Sequence, residues 1–329
     1  MELAPVPLRS HRKDRYRGSD RGRSVSDFLP PDREHLYSLY RALQSLYQYW
    51  LDHRPEPDPT ALARHNRAFA SPPLVGSAEA LGTATLAAPA GADAALRRAI
   101  HDLRGGALFA LRLYGELGEE ELEEDPDLLR AGVFLARDQA KIMRHLLVDL
   151  DPEGRARDEE ERIHSLDDVV AKWQGFEART PPAAPVRRAR VSVRSEWSGG
   201  LASCCLEASA VDRILYNLVN NALRFTVDGE IALRIVPVPE SALRWVVTNA
   251  ISPDQAGWLD RNAGHLGARL FHGGRTRGGT GTGLTTPGEL VASAFGLRDL
   301  AEAVGEGYLG ARWSTDQVHI WFHWPRLEG

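Results

Sequence analysis

The chain has 329 residues, with 40 Lys and Arg against 45 Asp and Glu and a formal net charge of -5. That length suits two or three domains, each able to bury a core, and the near balance of charge argues against a general polyanion binder; a nucleic-acid arm is conceivable from the basic leader, but a solvated leader is favoured and no nucleic-acid partner is expected. No apolar run approaches the roughly 18 to 20 residues that cross a bilayer, and the Arg-rich start has no apolar segment behind it, so the expectation is a cytoplasmic protein without membrane contact.

Residues 1–30 carry seven Arg or Lys among Gly, Ser and Asp with almost no apolar periodicity, which predicts a disordered basic tail. Residues 31–91 read as an N-terminal helix and a linker. Pro31 and Asp32, the latter a candidate cap, precede Leu36, Leu39, Tyr40, Leu43, Leu46, Tyr47 and Trp50 at helical spacing. From about Pro55 to Gly91 the sequence is broken by Pro, Ala, Gly and Ser, with one short helix near Thr60 to Phe69.

Residues 92–152 change pattern. Asp93 is a plausible N-cap, and Leu96, Ile100, Leu103, Ala107, Leu111 and Tyr114 recur at steps of three and four. After Gly118 and an acidic stretch through Asp127, a second seam runs from Leu128 through Val133, Leu135, Ala140, Ile142, Met143, Leu146 and Leu147. Two helices hide only part of such a seam, so the prediction is a helical hairpin that pairs with a second copy as a homodimeric four-helix bundle.

Residues 163–327 mix element types. Ser165 caps a short helix, strands are expected at Val191 to Arg194, near Leu206, at Ile231 to Val238 and at Leu243 to Ile251, and a helix at Val211 to Phe225. A helix from about Leu297 to Val304 and a hairpin of Tyr308 to Trp313 with Val318 to Trp324 complete an α+β sandwich. The adjacent Cys204 and Cys205 suit neither a disulfide framework nor CxxC metal spacing and read as buried strand residues.

Within the long helix, Asn217, Asn221 and Arg224 fall at i, i+4 and i+7, one polar face beside the apolar face of Ile214, Leu218 and Ala222. Amide oxygens can hold a hard cation and a guanidinium can meet phosphate oxygens; a solvated helix face fits the same spacing. Gly273 to Leu284 is dense enough in glycine for backbone N–H groups to approach a phosphate chain, though without P-loop spacing, and taken alone a flexible loop fits it equally.

Asn217 to Thr226, N-L-V-N-N-A-L-R-F-T, resembles the asparagine box of the ATP-binding domain of sensor histidine kinases, in the GHKL superfamily. The resemblance implies Mg2+ at Asn221, phosphate support from Asn217 and Arg224, an adenine contact from Asn249, and a lid that includes Gly279, Gly281 and Gly283, with Gly296 opening the helix after it. Ile100-His101-Asp102-Leu103-Arg104 is similar to that family's phosphoacceptor box, with His101 the acceptor and Asp102 its hydrogen-bond or proton partner. It further implies ATP and Mg2+ as cofactors, a homodimer, and a response regulator receiver domain as partner. Where the family has D-x-G-x-G this chain has Asn249, Ile251 and Pro253, and Gly105-Gly106 replace a Thr or Asn followed by Pro. Three readings therefore stand: an ATP-dependent histidine kinase, a histidine phosphotransfer protein that no longer binds ATP, and a pseudokinase scaffold.

Overall fold

The computed structural model describes residues 22–53, 57–89, 92–115, 120, 126–179, 188–238, 242–272 and 283–327. The chain is α+β and divides into two compact units, Gly18–Asp158 and the segment from Glu159 to the C-terminus.

The first unit is helical: α1 (Pro30–Asp52), α2 (Pro59–Ala68), α3 (Pro72–Ala80), α4 (Thr83–Ala87), α5 (Ala94–Arg104), α6 (Gly106–Gly115), α7 (Pro126–Leu146) and α8 (Pro152–Glu159). The segment expected as linker thus holds three helices, because its prolines sit in first turns, where a missing N–H costs nothing, and its Gly82 takes the left-handed turn before α4. Of the segment expected as a disordered tail, residues 1–21 lie outside the described residues and those from Gly22 on are ordered. Ser24 and Asp27 close a capping box over a short 3-10 turn, Phe28 is fully buried, and Arg23 pairs through its backbone with Leu147 and through its guanidinium with Asp93.

Packing revises the bundle. α1 and α2 both lie against α7, and α2 also meets α6. The expected seam, from Leu96 to Tyr114 and from Val133 to Leu147, is buried within the single chain. Asp32 is not the cap of α1, which starts two residues earlier. Its buried carboxylate instead accepts from Gly82 N (2.8 Å), Thr85 N (2.7 Å) and Thr85 Oγ1 (2.5 Å), fixing the turn before α4.

The second unit comprises β1 (Glu161–Ser165), α9 (Leu166–Trp173), β2 (Glu177–Arg179), β3 (Arg188–Ser195), β4 (Gly200–Cys204), α10 (Cys205–Phe225), β5 (Glu230–Val238), β6 (Ala242–Ala250), α11 (Pro253–Asn262), α12 (Ala268–Phe271), α13 (Thr285–Phe295), α14 (Leu300–Gly305), β7 (Leu309–Trp313) and β8 (Gln317–Pro325). Six strands form one sheet in the order β2-β3-β5-β6-β8-β7, parallel only between β3 and β5, while β1 and β4 form a separate antiparallel ladder. α10 and α13 pack on each other and onto β6 and β8. The alternating burial of β5 and β6, with Trp245 opposite Phe322 in register, puts the apolar face of the sheet under this helical layer. Ser165 caps α9 as expected, accepting from Asp168 N.

Three expectations change here. Leu206 lies in α10, which begins at Cys205, so only Cys204 of the cysteine pair is in a strand. The helix expected from about Leu297 starts at Leu300 and is short, whereas Thr285 to Phe295 is a full helix buried on most sides. Being apolar nearly all round, it gives no amphipathic period to read.

Candidate functional site

His101 sits in the last turn of α5, a helix started by Asp93, whose carboxylate accepts from Leu96 N at 2.7 Å. Its Nδ1 lies 3.1 Å from Asp102 Oδ1; the Asp102 side chain is 2% exposed and that of His101 20%. With the carboxylate taking the Nδ1 proton, Nε2 is left with its lone pair, the arrangement a nucleophilic imidazole requires.

The hairpin arm expected as one helix is broken after Arg104. Gly105 donates its N–H to His101 O at 2.9 Å and leaves helical geometry (φ -92°, ψ -128°), and Gly106 has φ +53°. The break is stitched by Gln139 of α7, a fully buried amide. Its Oε1 accepts from Ala107 N (3.0 Å) and Leu108 N (3.3 Å), and its Nε2 donates to Leu103 O (3.3 Å). Sequence reasoning missed Gln139; the available signal was a lone amide on the apolar seam of α7. Arg104 is held from the other side, with Nε to Leu81 O and Nη2 to Thr83 Oγ1 at 2.8 Å. Gly82 in that turn abuts Ile100, whose Cγ2 would lie 2.5 Å from an added Cβ. The His101 turn is therefore clamped between α7 and the turn that Asp32 fixes.

In the second unit, the predicted amide face lies on α10. Asn217 is buried, its Nδ2 donating to Arg213 O at 2.8 Å. Asn221 is partly exposed and makes no side-chain hydrogen bond among the described residues, and Arg224 is exposed. This graded exposure, buried amide to open guanidinium, fits a magnesium-bearing phosphate chain approaching the end of α10. Gly279 and Gly281 lie outside the described residues. Gly283 is in the turn that leads directly into α13, so the Gly-rich segment ends on a helix packed against α10. Gly296, expected beside the nucleotide, is instead the left-handed C-cap of α13 (φ +65°), a whole helix away from Gly283.

The adenine side differs. Asn249 is buried at the end of β6, and its Nδ2 donates to Ala250 O at 2.9 Å. Ile251 is 2% exposed and its N–H is taken by Asp316 O, while Ser252 caps α11 with Pro253 in its first turn. Where glycines would leave room for a base, this chain has the packed, branched side chain of Ile251 and a rigid helix start. The donor set thus fits the phosphate half of a nucleotide and not the adenine half as the family builds it. Among the described residues there is no group of three or more His, Cys, Asp or Glu placed to hold a metal.

No family model matches the sequence, and no curated protein matches it. Among solved structures the chain is similar to full-length ShkA in complex with AMPPNP (18% identity, 82% of this chain and 46% of that chain, TM-score 0.35). It therefore spans about half the length of ShkA. It is also similar to a histidine kinase from Burkholderia phymatum STM815 (15% identity, 72% and 100%, TM-score 0.29) and to the histidine kinase domain of the Erythrobacter litoralis EL346 blue-light activated histidine kinase (15% identity, 87% and 92%, TM-score 0.29). Histidine kinases are the family that the sequence motifs resemble. At such low identities and TM-scores, activity can be argued only from this chain's own residues. No helix among the described residues is long and apolar enough to cross a membrane.

Proposed function

We propose that the chain is a histidine kinase that takes the γ-phosphoryl group of Mg-ATP onto His101 and passes it to an Asp of a response regulator receiver domain. The observation that carries this reading is the His101–Asp102 contact in a helix turn clamped from two sides. Asp102 accepts a hydrogen bond from Nδ1–H and holds the ring, and Nε2 would attack the γ-phosphorus as its bond to the bridging oxygen breaks and ADP leaves. Asn221 and Asn217 would hold the metal and phosphates, with Arg224 neutralising charge on the phosphoryl oxygens. Mg-ATP would supply the phosphoryl group and its electrophilic phosphorus. The reading keeps a homodimer, as the resemblance of the sequence motifs implies.

A second reading, a phosphotransfer protein that receives its phosphoryl group from a receiver domain, is favoured by the packed Ile251 and by Pro253. Incubation with γ-labelled Mg-ATP, and separately with a phosphorylated receiver domain, separates the two. Acid-labile label from ATP that disappears in both His101→Gln and Asn221→Ala supports the kinase. Label from the receiver alone supports phosphotransfer, and label from neither source rejects both in favour of a scaffold.

A further inference from the structure

Opposite the helical layer, Arg244 and Arg312 make no ion pair with a carboxylate among the described residues, whereas Arg234 on the same face is paired with Glu196. Register places Arg244 beside His323, and Arg312 beside His319 on the other flank of Trp321. Trp321 is locked in place: its Nε1 donates to Gly307 O at 3.1 Å, and it lies so close over Gly310 that a Cβ there would stand 2.3 Å from Cζ2. On this platform rests the Arg244 guanidinium, with Cζ 5.4 Å from the ring centroid and Nε donating to His323 Nε2 at 2.9 Å.

The tautomer follows from that bond. Since Nε2 accepts, the neutral His323 ring carries its proton on Nδ1. Nδ1 is buried without a hydrogen-bond partner, on a side chain 2% exposed. A buried donor with no acceptor costs free energy. Burial lowers Arg244 to about 10, with Arg312 adding to the shift, and burial with Arg244 lowers His323 to about 3. Neither group has a compensating carboxylate among the influences acting on it. The cluster is all donors, two guanidinium groups and one imidazole N–H, around a fixed aromatic surface, in a chain whose net charge is -5. What complements it is a group that only accepts and carries negative charge.

We propose that Arg244, Arg312 and His323 form a binding site for an oxyanion, a phosphate or carboxylate group, on the face of the sheet away from α10. Arg244 is pre-positioned by Trp321 and His323, and the exposed Arg312 closes on the ligand from solvent. This site is separate from the asparagine face and does not depend on the kinase reading.

The full chain, labelled with 15N at histidine, is titrated with inorganic phosphate while the His323 ring signals are followed by NMR; acetate in a second titration distinguishes a phosphate from a carboxylate ligand. The expected result is a saturable shift of the His323 signals with at least one anion. Arg312→Gln, at an exposed position, should weaken it about tenfold or more, and Arg244→Gln should remove it. Absence of a saturable shift with either anion overturns the proposal, as does an Arg312→Gln protein, folded by circular dichroism, that binds as the parent does.

Discussion

Gln139 Oε1 accepts the backbone N–H of Ala107 at 3.0 Å, so a side chain from α7 completes the first turn of α6 where the chain has just broken. The same amide donates to Leu103 O and thereby serves both ends of the break. Gln139→Leu keeps the bulk and leaves these groups buried without partners. It should destabilise the helical unit by about 1–3 kcal/mol in urea unfolding followed by helical circular dichroism. A change within about 0.5 kcal/mol would mean that the break is held by something else.

Gly106→Ala should be costlier than a helix glycine normally allows. Its φ of +53° disfavours any Cβ by roughly 1–2 kcal/mol, and the added atom would stand 2.7 Å from Gln139 Oε1. By contrast Gly76→Ala, in α3 with nothing within 4 Å, should be neutral or stabilising by up to about 1 kcal/mol. Thermal melts of the two variants side by side check the sign of each.

Tyr40→Phe removes a donor to Asp151 Oδ2 (2.6 Å) and the oxygen that accepts from Arg144 Nη1 (2.9 Å). Burial pushes the Asp151 carboxyl up, but the Tyr40 hydroxyl, Gly154 N–H and Arg144 outweigh it and hold the group below its ordinary value. A depressed carboxyl stabilises the fold above the ordinary carboxylate range and loses that contribution as pH falls through its lowered value. The variant should therefore cost about 1 kcal/mol at neutral pH, discounted for solvent at Asp151. Unfolding curves for parent and variant should converge in strong acid, and a gap unchanged with pH would remove Asp151 from the account.

Asp32→Ala strips the turn before α4 of the acceptor for Gly82 N–H and Thr85 N–H, in a site closed to water. A loss of about 2–4 kcal/mol is expected, with faster amide exchange at Gly82 and Thr85 than at residues of α7. Since that turn also grips Arg104, label on His101 should fall with it.

Legibility in the sequence followed the range of the interaction. Asp93 and Ser165 announce helices because a cap acts within three residues, and Leu233, Trp245 and Phe322 announce strands because alternation is local. The His101–Asp102 contact and the Asn217–Asn221–Arg224 face were readable for the same reason. Asp32 was misread because its partners lie some fifty residues away, at Gly82 and Thr85. Pro59, Pro72 and Gly82, which read as linker, are helix starts and a turn whose meaning depends on the apolar surfaces they bring to α1 and α7. Thr285 to Phe295 was invisible as a helix because nearly every side is covered.

The break at Gly105 also sets the electrical surroundings of His101. In an uninterrupted arm His101 would lie mid-helix, where peptide dipoles cancel along the axis. Ending α5 at Arg104 places it in the final turn, beside carbonyl oxygens that carry the negative end of the helix dipole. An anionic group seated on His101 is then repelled by about 0.3–1 kcal/mol. That bias runs toward departure of the group and away from its storage on the ring.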